Sequence, residues 1–338
     1  METNRDGSSN SHRIARPGLA CFLRAMTGET QILRAGVVGA GVFGGYHASK
    51  YVAFDDAVFV GVFDPVADHA EALCAKHGGQ PFASLNELIE ACDIVTVASP
   101  AVFHHDAARR ALNAGKGVLV EKPLAATAAE ARELASLAEL NGAVLRVGHQ
   151  ERFVFDAMGL FGDLPRIRAL KARRMGPPGV RNLDVSVTLD LMIHDIDLAL
   201  ALAGARPDTV EAEMLADRNG LADHVKARLR FPGGVIAELE SSRVAEARDR
   251  VMTIDYDGGA QVAVDFIART FENPAGLPLD PDFQQKPSAQ DSLGANVAAF
   301  IAAVRGDGEG CAADGAAGLA GLETALAIDE ACGARSRI

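Results

Sequence analysis

Several residues in this chain have types and spacings that could do chemistry. Lys122 stands in Glu121-Lys122-Pro123, directly after the apolar run Gly117-Val118-Leu119-Val120. Asp190 and His194 lie four residues apart, and Asp197 follows three later, in an otherwise apolar stretch. On a helix those spacings put all three on one face, and a polar stripe beside buried apolar faces must meet a cleft or a partner. A solvated surface face would give the same pattern. Chemically, a histidine can take a proton from a hydroxyl near neutral pH, and a cationic lysine can steady the negative charge left on oxygen. A buried lysine with a lowered pKa could also take that proton, so the residues leave open which of Lys122 and His194 is the base. Asp190 would share substrate contacts or tune His194.

A third group is Gly39-Ala40-Gly41-Val42-Phe43-Gly44, and the elements that must position it can be read around it. Ile32 to Val38 is a nearly continuous apolar run, as expected of a parallel strand buried on both faces, and it leads straight into the glycines. A helix through His47 to Phe54 follows, then the apolar strand Val58 to Phe63, which ends on Asp64. In this setting Gly39 permits a tight turn, Gly41 lets backbone approach a pyrophosphate, and Gly44 lets helix pack on strand. Val42 and Phe43 complete the loop. Asp64, about 20 residues beyond the last glycine, is placed to accept hydrogen bonds from ribose hydroxyls and to repel a 2′-phosphate. NAD rather than NADP is the expected cofactor. Asp64 can also cap a helix, since Pro65 follows it.

The alternation continues with helices near Asp68 to His77 and Leu85 to Ala91, then the strand Ile94 to Ala98. A helix over His104 to Ala114, the strand Gly117 to Val120, a helix over Thr127 to Asn141 and a strand over Ala143 to Val147 follow. Ligands of open parallel sheets bind beyond the carboxyl ends of the strands, which is where Lys122 stands. From Val210 the pattern changes to strands, at Val210 to Leu215, His224 to Phe231, Val235 to Ser242, Arg250 to Tyr256 and Gln261 to Phe266. Phe231-Pro232-Gly233-Gly234 and Asp257-Gly258-Gly259 punctuate them as hairpins. Helices over Asn296 to Val304 and Ala316 to Glu330 close the chain. The expected fold is therefore an α/β Rossmann domain with a doubly wound parallel sheet, residues 32–150, followed by an α+β domain with a mainly antiparallel open sheet, residues 151–338. Residues 1–31 are polar and Arg-containing and are expected to form a disordered extension.

With 33 Lys and Arg against 45 Asp and Glu, the formal net charge of -12 repels phosphate backbones, so nucleic acid is not expected as a partner. Five cysteines without paired close spacing suggest neither a disulfide framework nor a zinc site, and the expected setting is a reducing cytoplasm. No segment offers the roughly 18 uncharged apolar residues of a membrane span.

On the glycine loop, Ser99-Pro100 with His104, Ala114 through Leu124 and Asp190 through Asp197, the chain resembles the Gfo/Idh/MocA oxidoreductases over nearly everything after residue 32. That resemblance implies Lys122, Asp190 and His194 as the catalytic group. It implies cofactor contacts from Ser99, Pro100, His104, Glu121 and Lys122 beside the glycines and Asp64. Gly148-His149-Gln150-Glu151-Arg152-Phe153 is similar to a segment of family members acting on UDP-N-acetyl-amino sugars, with Arg152, Gln150 and His149 as candidate substrate contacts. His149 alone reads more readily as a structural strand-end histidine. Asp197 and Arg173, with its neighbour Arg174, are further candidates, the arginines for phosphates. Met192 departs from the wider family, which often has glycine there, and so weakens a transfer of inositol specificity.

The expected activity is NAD-dependent oxidation of a sugar ring hydroxyl, at C3 of a UDP-N-acetyl-amino sugar. Rival readings are a dehydrogenase of free polyols or sugars such as inositol, an NAD-dependent glycosidase, and a non-catalytic NAD-responsive binding protein. The family's open sheet packs against another subunit, which implies a homodimer or homotetramer, and its C-terminal helices return to the first domain.

Overall fold

The computed structural model describes residues 32–179, 185–308 and 310–335. The extension expected over residues 1–31 lies outside the described residues. The described residues from Ile32 onward form one compact unit built on two seven-stranded sheets.

The first sheet grows from the alternation of apolar runs and helices. β1 (Leu33–Val38) is followed by α1 (Val42–Ala53), β2 (Ala57–Phe63), α2 (Ala67–His77), the two-residue β3 (Gln80–Pro81), α3 (Leu85–Ala91) and β4 (Ile94–Val97). α4 (His104–Asn113), β5 (Gly117–Val120), α5 (Ala128–Asn141) and β6 (Leu145–Val147) complete the alternation. The strand order β14-β6-β5-β4-β1-β2-β3 reverses direction on either side of β1, the topology of a doubly wound sheet. All pairs are parallel except β14 (Ala313–Asp314), which the sequence did not reveal and which joins β6 antiparallel. β4 and β5 are buried at every residue, which explains why they read as unbroken apolar runs. Local signals end the helices where expected. Thr127 and Glu130 form a reciprocal capping box at the start of α5, and Gly142 closes it in the left-handed conformation.

The second sheet has the order β13-β12-β11-β7-β10-β9-β8. It comprises β7 (Ile167–Met175), β8 (Thr209–Arg218), β9 (Leu221–Arg230), β10 (Ile236–Ser242), β11 (Asp249–Tyr256), β12 (Gln261–Asp265) and β13 (Thr270–Glu272). It is antiparallel apart from the β7–β10 pair. The helix α6 (Glu151–Met158) and β7 were not anticipated. β7 alternates charged and apolar residues, Ile167-Arg168-Ala169-Leu170-Lys171-Ala172-Arg173, so it lacks the continuous apolar run that marks a buried parallel strand. Its outward face carries Lys171 and Arg173 amid an ion-pair ladder, with Lys171 and Arg228 on Glu238, and His224 and Lys226 on Glu240.

α7 (Ile193–Ala203) follows a π-helical turn at Thr188–Met192, and α9 (Gly315–Ala331) packs on α5, α7 and β8 at once. α8 (Ser292–Arg305) contacts α1, α6 and β5. Phe300 and Val304 lie where a side chain at Gly117 would sit, so α8 packs closely against β5 of the first sheet. One core runs from Val95 and Val120 through Phe155 to Leu229 and Ile254, and this shared apolar interior holds the two sheets as one unit.

Candidate active site

The glycine loop is tied down by the residue expected to read the cofactor. Asp64 Oδ2 accepts from the Ala40 N–H at 2.7 Å and Oδ1 from the Val66 N–H at 2.9 Å. Asp64 thus joins the loop to the entry of α2, where Val66 is the cap residue. Gly39 adopts φ +98°, and a side chain there would meet Ser99 N at 2.7 Å. A side chain at Gly44 would collide with the Gly39 carbonyl, so this glycine is what lets α1 approach β1. Nothing lies within 4 Å of a side chain built at Gly41, and α1 begins there with no side-chain cap and no acidic residue in its first turn. Free N–H groups facing open space at a helix start suit a pyrophosphate.

Beyond the carboxyl ends of β4 and β5 lies a cavity of 210 Å³, walled by Phe43, Ser99, Pro100, Lys122, Leu189 and Asp190 among others. It joins the glycine loop to the second-sheet side of the molecule. Lys122 Nζ donates to the Asp190 carbonyl at 2.7 Å and lies 3.5 Å from Asp190 Oδ1. His104 and Glu121 border the same cavity, but their polar atoms are engaged within the protein. The His104 ring is buried, with Nδ1 2.8 Å from the Pro123 carbonyl and Nε2 2.8 Å from that of Ser99. Burial lowers its pKa against the pull of those two carbonyls. Glu121 lies 2.7 Å from His47 Nε2 and accepts from Gln150 at 3.5 Å. Burial would raise its pKa, but the His47 hydrogen bond and nearby positive charge hold it below the usual carboxylate range. Glu121, His104 and Gln150 therefore brace the ends of β4, β5 and β6, and Glu121 and His104 do so while lining the cavity.

The single polar stripe expected of Asp190, His194 and Asp197 is split. The π-helical turn at Thr188–Met192 takes an extra residue per hydrogen-bonded ring, so the register of a uniform α-helix fails across it. Asp190 reaches the cavity, whereas Asp197 is buried and holds Arg152 through bonds of 2.8 and 2.7 Å. That pairing outweighs the cost of burying Arg152 and keeps its pKa raised. His149 is buried beside them, Nδ1 3.8 Å from Asp197 Oδ2. Arg152, Asp197 and His149 thus form one largely buried cluster.

His194 is not part of the cavity wall, and 22% of its side chain is exposed. Burial, then the positive charges of Lys122 and Arg174, push its pKa well below the ordinary histidine value, so the ring is neutral at pH 7. Its Nδ1 lies 3.4 Å from Glu151 Oε2 without a hydrogen bond. Glu151 is held in turn by Arg174, through contacts of 2.8 and 2.9 Å, and Arg174 also binds Asp195 at 2.8 and 3.0 Å. Arg174 is fully buried, and although burial opposes its charge, the two carboxylates raise its pKa further. Burial raises the pKa of Asp195. Arg173 is the correction to the expected arginine pair. Strand alternation sends it to the outer face, where it pairs with Asp249 away from the cavity. The only sequence signal for Glu151 is its place beside Arg152 in the Gly148–Phe153 motif.

A dinucleotide loop on a doubly wound sheet, with a lysine beyond the end of β5 tied to an aspartate of the π-helical turn and a histidine four residues further on, defines an NAD-dependent oxidoreductase. Residues 33–149 match the oxidoreductase family with an NAD-binding Rossmann fold, and residues 158–262 match the GFO/IDH/MocA C-terminal domain. The chain belongs to the GFO/IDH/MocA family. It is 33% identical over 305 residues to UDP-N-acetylglucosamine 3-dehydrogenase from Acidithiobacillus ferrooxidans, covering 88% of this chain and 96% of that protein. A solved structure of that enzyme superimposes with a TM-score of 0.80 at 32% identity, covering 89% of this chain and 98% of the other. Inositol 2-dehydrogenase from Leifsonia xyli is 30% identical over 262 residues, 73% of this chain and 75% of that protein. Among the described residues no helix is long and apolar enough to cross a membrane.

Proposed function

We propose that this enzyme oxidises a ring hydroxyl of a UDP-N-acetyl-amino sugar, at C3, with Lys122, His194 and Asp190 as its catalytic group. The observation that carries the chemistry is the Lys122–Asp190 pair on the cavity wall, with His194 four residues beyond Asp190 and beside the Glu151 carboxylate. The glycine loop with Gly39, Gly41 and Gly44, and Asp64, would hold NAD, with Ser99, Pro100 and Phe43 nearer the reacting end. When bound, NAD accepts the hydride from the carbinol carbon.

Lys122, anchored by the Asp190 carbonyl, can direct a further N–H at the substrate hydroxyl and stabilise the negative charge that grows on its oxygen. His194 takes the hydroxyl proton, and the imidazolium so formed faces Glu151, whose position Arg174 fixes. Asp190 borders the substrate space and tethers Lys122.

The substrate assignment is supported by identity that runs through both halves of the chain. The inositol dehydrogenase relative favours a second reading, a free polyol. The test is NADH formation with UDP-N-acetylglucosamine, N-acetylglucosamine, UDP-glucose and myo-inositol, with the oxidised carbon located by NMR. UDP-N-acetylglucosamine should be the best substrate. Equal or greater activity on myo-inositol or the free hexosamine would overturn the nucleotide-sugar reading and leave the dehydrogenase chemistry in place.

A further inference from the structure

A second cavity, of 600 Å³, opens beside the first and shares Asp190 in its wall. That volume falls within the range of about 300 to 1,000 Å³ typical of small-molecule sites. Its lining is unusual for a protein with a net charge of -12, since it includes Arg218, Arg243, Arg248 and Arg250. Two of the four are neutralised internally. Asp223, itself buried, binds Arg218 at 2.8 Å and also pairs with Arg243.

The other two are not neutralised. Arg248 is exposed and Arg250 half-buried, and among the described residues neither has a carboxylate within ion-pairing distance. Arg250 also stands directly opposite Arg174 in the β7–β11 register. Like charges across a strand pair repel, and the carboxylates nearby, Glu151 and Asp195, are already bound to Arg174. Burial and the charge of Arg174, with a smaller push from Arg248, lower the pKa of Arg250 in spite of the opposing pull of Glu151 and Asp195. Cations gathered without counter-ions in a cavity are a cost that a bound anion removes. The Gly176-Pro177-Pro178-Gly179 stretch lines the cavity as well and narrows no part of it with a long side chain.

We propose that Arg248 and Arg250 form a phosphate-binding subsite that holds the diphosphate of the sugar substrate while its ring occupies the cavity at Lys122 and Asp190. This rests on the nucleotide-sugar reading and replaces Arg152, Arg173 and Arg174, all of which are committed elsewhere, as the phosphate ligands. The guanidinium forks match phosphate oxygens in pairs, and the shared Asp190 makes the two cavities neighbouring halves of one site.

The experiment is calorimetric binding of UDP and of inorganic pyrophosphate to the full chain, with NAD saturating so that its own site is filled. Arg248→Ala, Arg250→Ala and Arg250→Lys are compared with Arg173→Ala, which removes the same charge from the outer face. Each alanine variant should weaken both anions about 10- to 100-fold, a range expected for charge-assisted hydrogen bonds, and Arg173→Ala should leave them within twofold. Arg250→Lys keeps the charge without the fork, guards against misfolding of the truncated variant, and should lie between. Wild-type affinity retained in Arg248→Ala and Arg250→Ala, or no binding of either anion to the wild type at millimolar concentration, overturns the subsite. Pyrophosphate binding lost in the variants of an enzyme that oxidises only free sugars upholds the subsite and overturns the nucleotide-sugar reading.

Discussion

Replacing Glu151 with glutamine tests how the protein prepares its base. The change is nearly isosteric and removes one charge 3.4 Å from His194 Nδ1. At an effective dielectric of about 20, two unit charges at that separation attract by about 5 kcal/mol. Both side chains are 22% exposed, so water screens part of this, and about 1.4 to 3 kcal/mol is a reasonable remainder. That converts to one to two pH units in the histidine's titration and a roughly 10- to 100-fold loss in kcat. The fold should survive. Arg174 keeps Asp195 at 2.8 and 3.0 Å, and the glutamine oxygen can still accept from it. The assay is kcat against pH with NAD and substrate saturating. Losing the carboxylate destabilises the imidazolium, so the acid limb should move to lower pH while the plateau falls and the KM for NAD stays within twofold. An acid limb and plateau both unchanged would show that Glu151 does not act on His194.

Lys122→Ala and His194→Ala should each reduce turnover by about two to four orders of magnitude with NAD affinity nearly intact, and near-normal turnover in either removes that residue from the mechanism. Asp64→Ala should weaken NAD by about tenfold and narrow the preference over NADP, because it loses both the repulsion of a 2′-phosphate and the anchor on Ala40; parallel dissociation constants for the two cofactors would refute this. Burial depresses the folded-state pKa of His149 and His194 below 6.5, so the stability they contribute is present above that pH and lost as pH falls through their folded values. Denaturant unfolding should show a loss of up to about 1.4 kcal/mol per histidine per pH unit in that window, against the opposite contribution of Asp195, and a flat profile from pH 7 to 5.5 would contradict it.

The sequence by itself determined the first sheet and its cofactor loop. Buried parallel strands must be apolar at every position, so β1, β4 and β5 announce themselves, and the requirements at Gly39 and Gly44 are local enough to be read from spacing. Lys122 was legible because its place at the end of β5 follows from that alternation. Tertiary structure decided the rest of the site. Neither the π-helical turn, which separates Asp190 from Asp197, nor the strand alternation that divides Arg173 from Arg174 into outer and buried faces stood out from sequence spacing. The Glu151–Arg174–Asp195 cluster joins α6, β7 and α7, and Arg250 meets Arg174 only through the β7–β11 register. Which charges are paired and which are left facing a cavity depends on contacts between distant segments, and a one-dimensional pattern of polar residues looks the same whether each ends in water, in an ion pair or in a site.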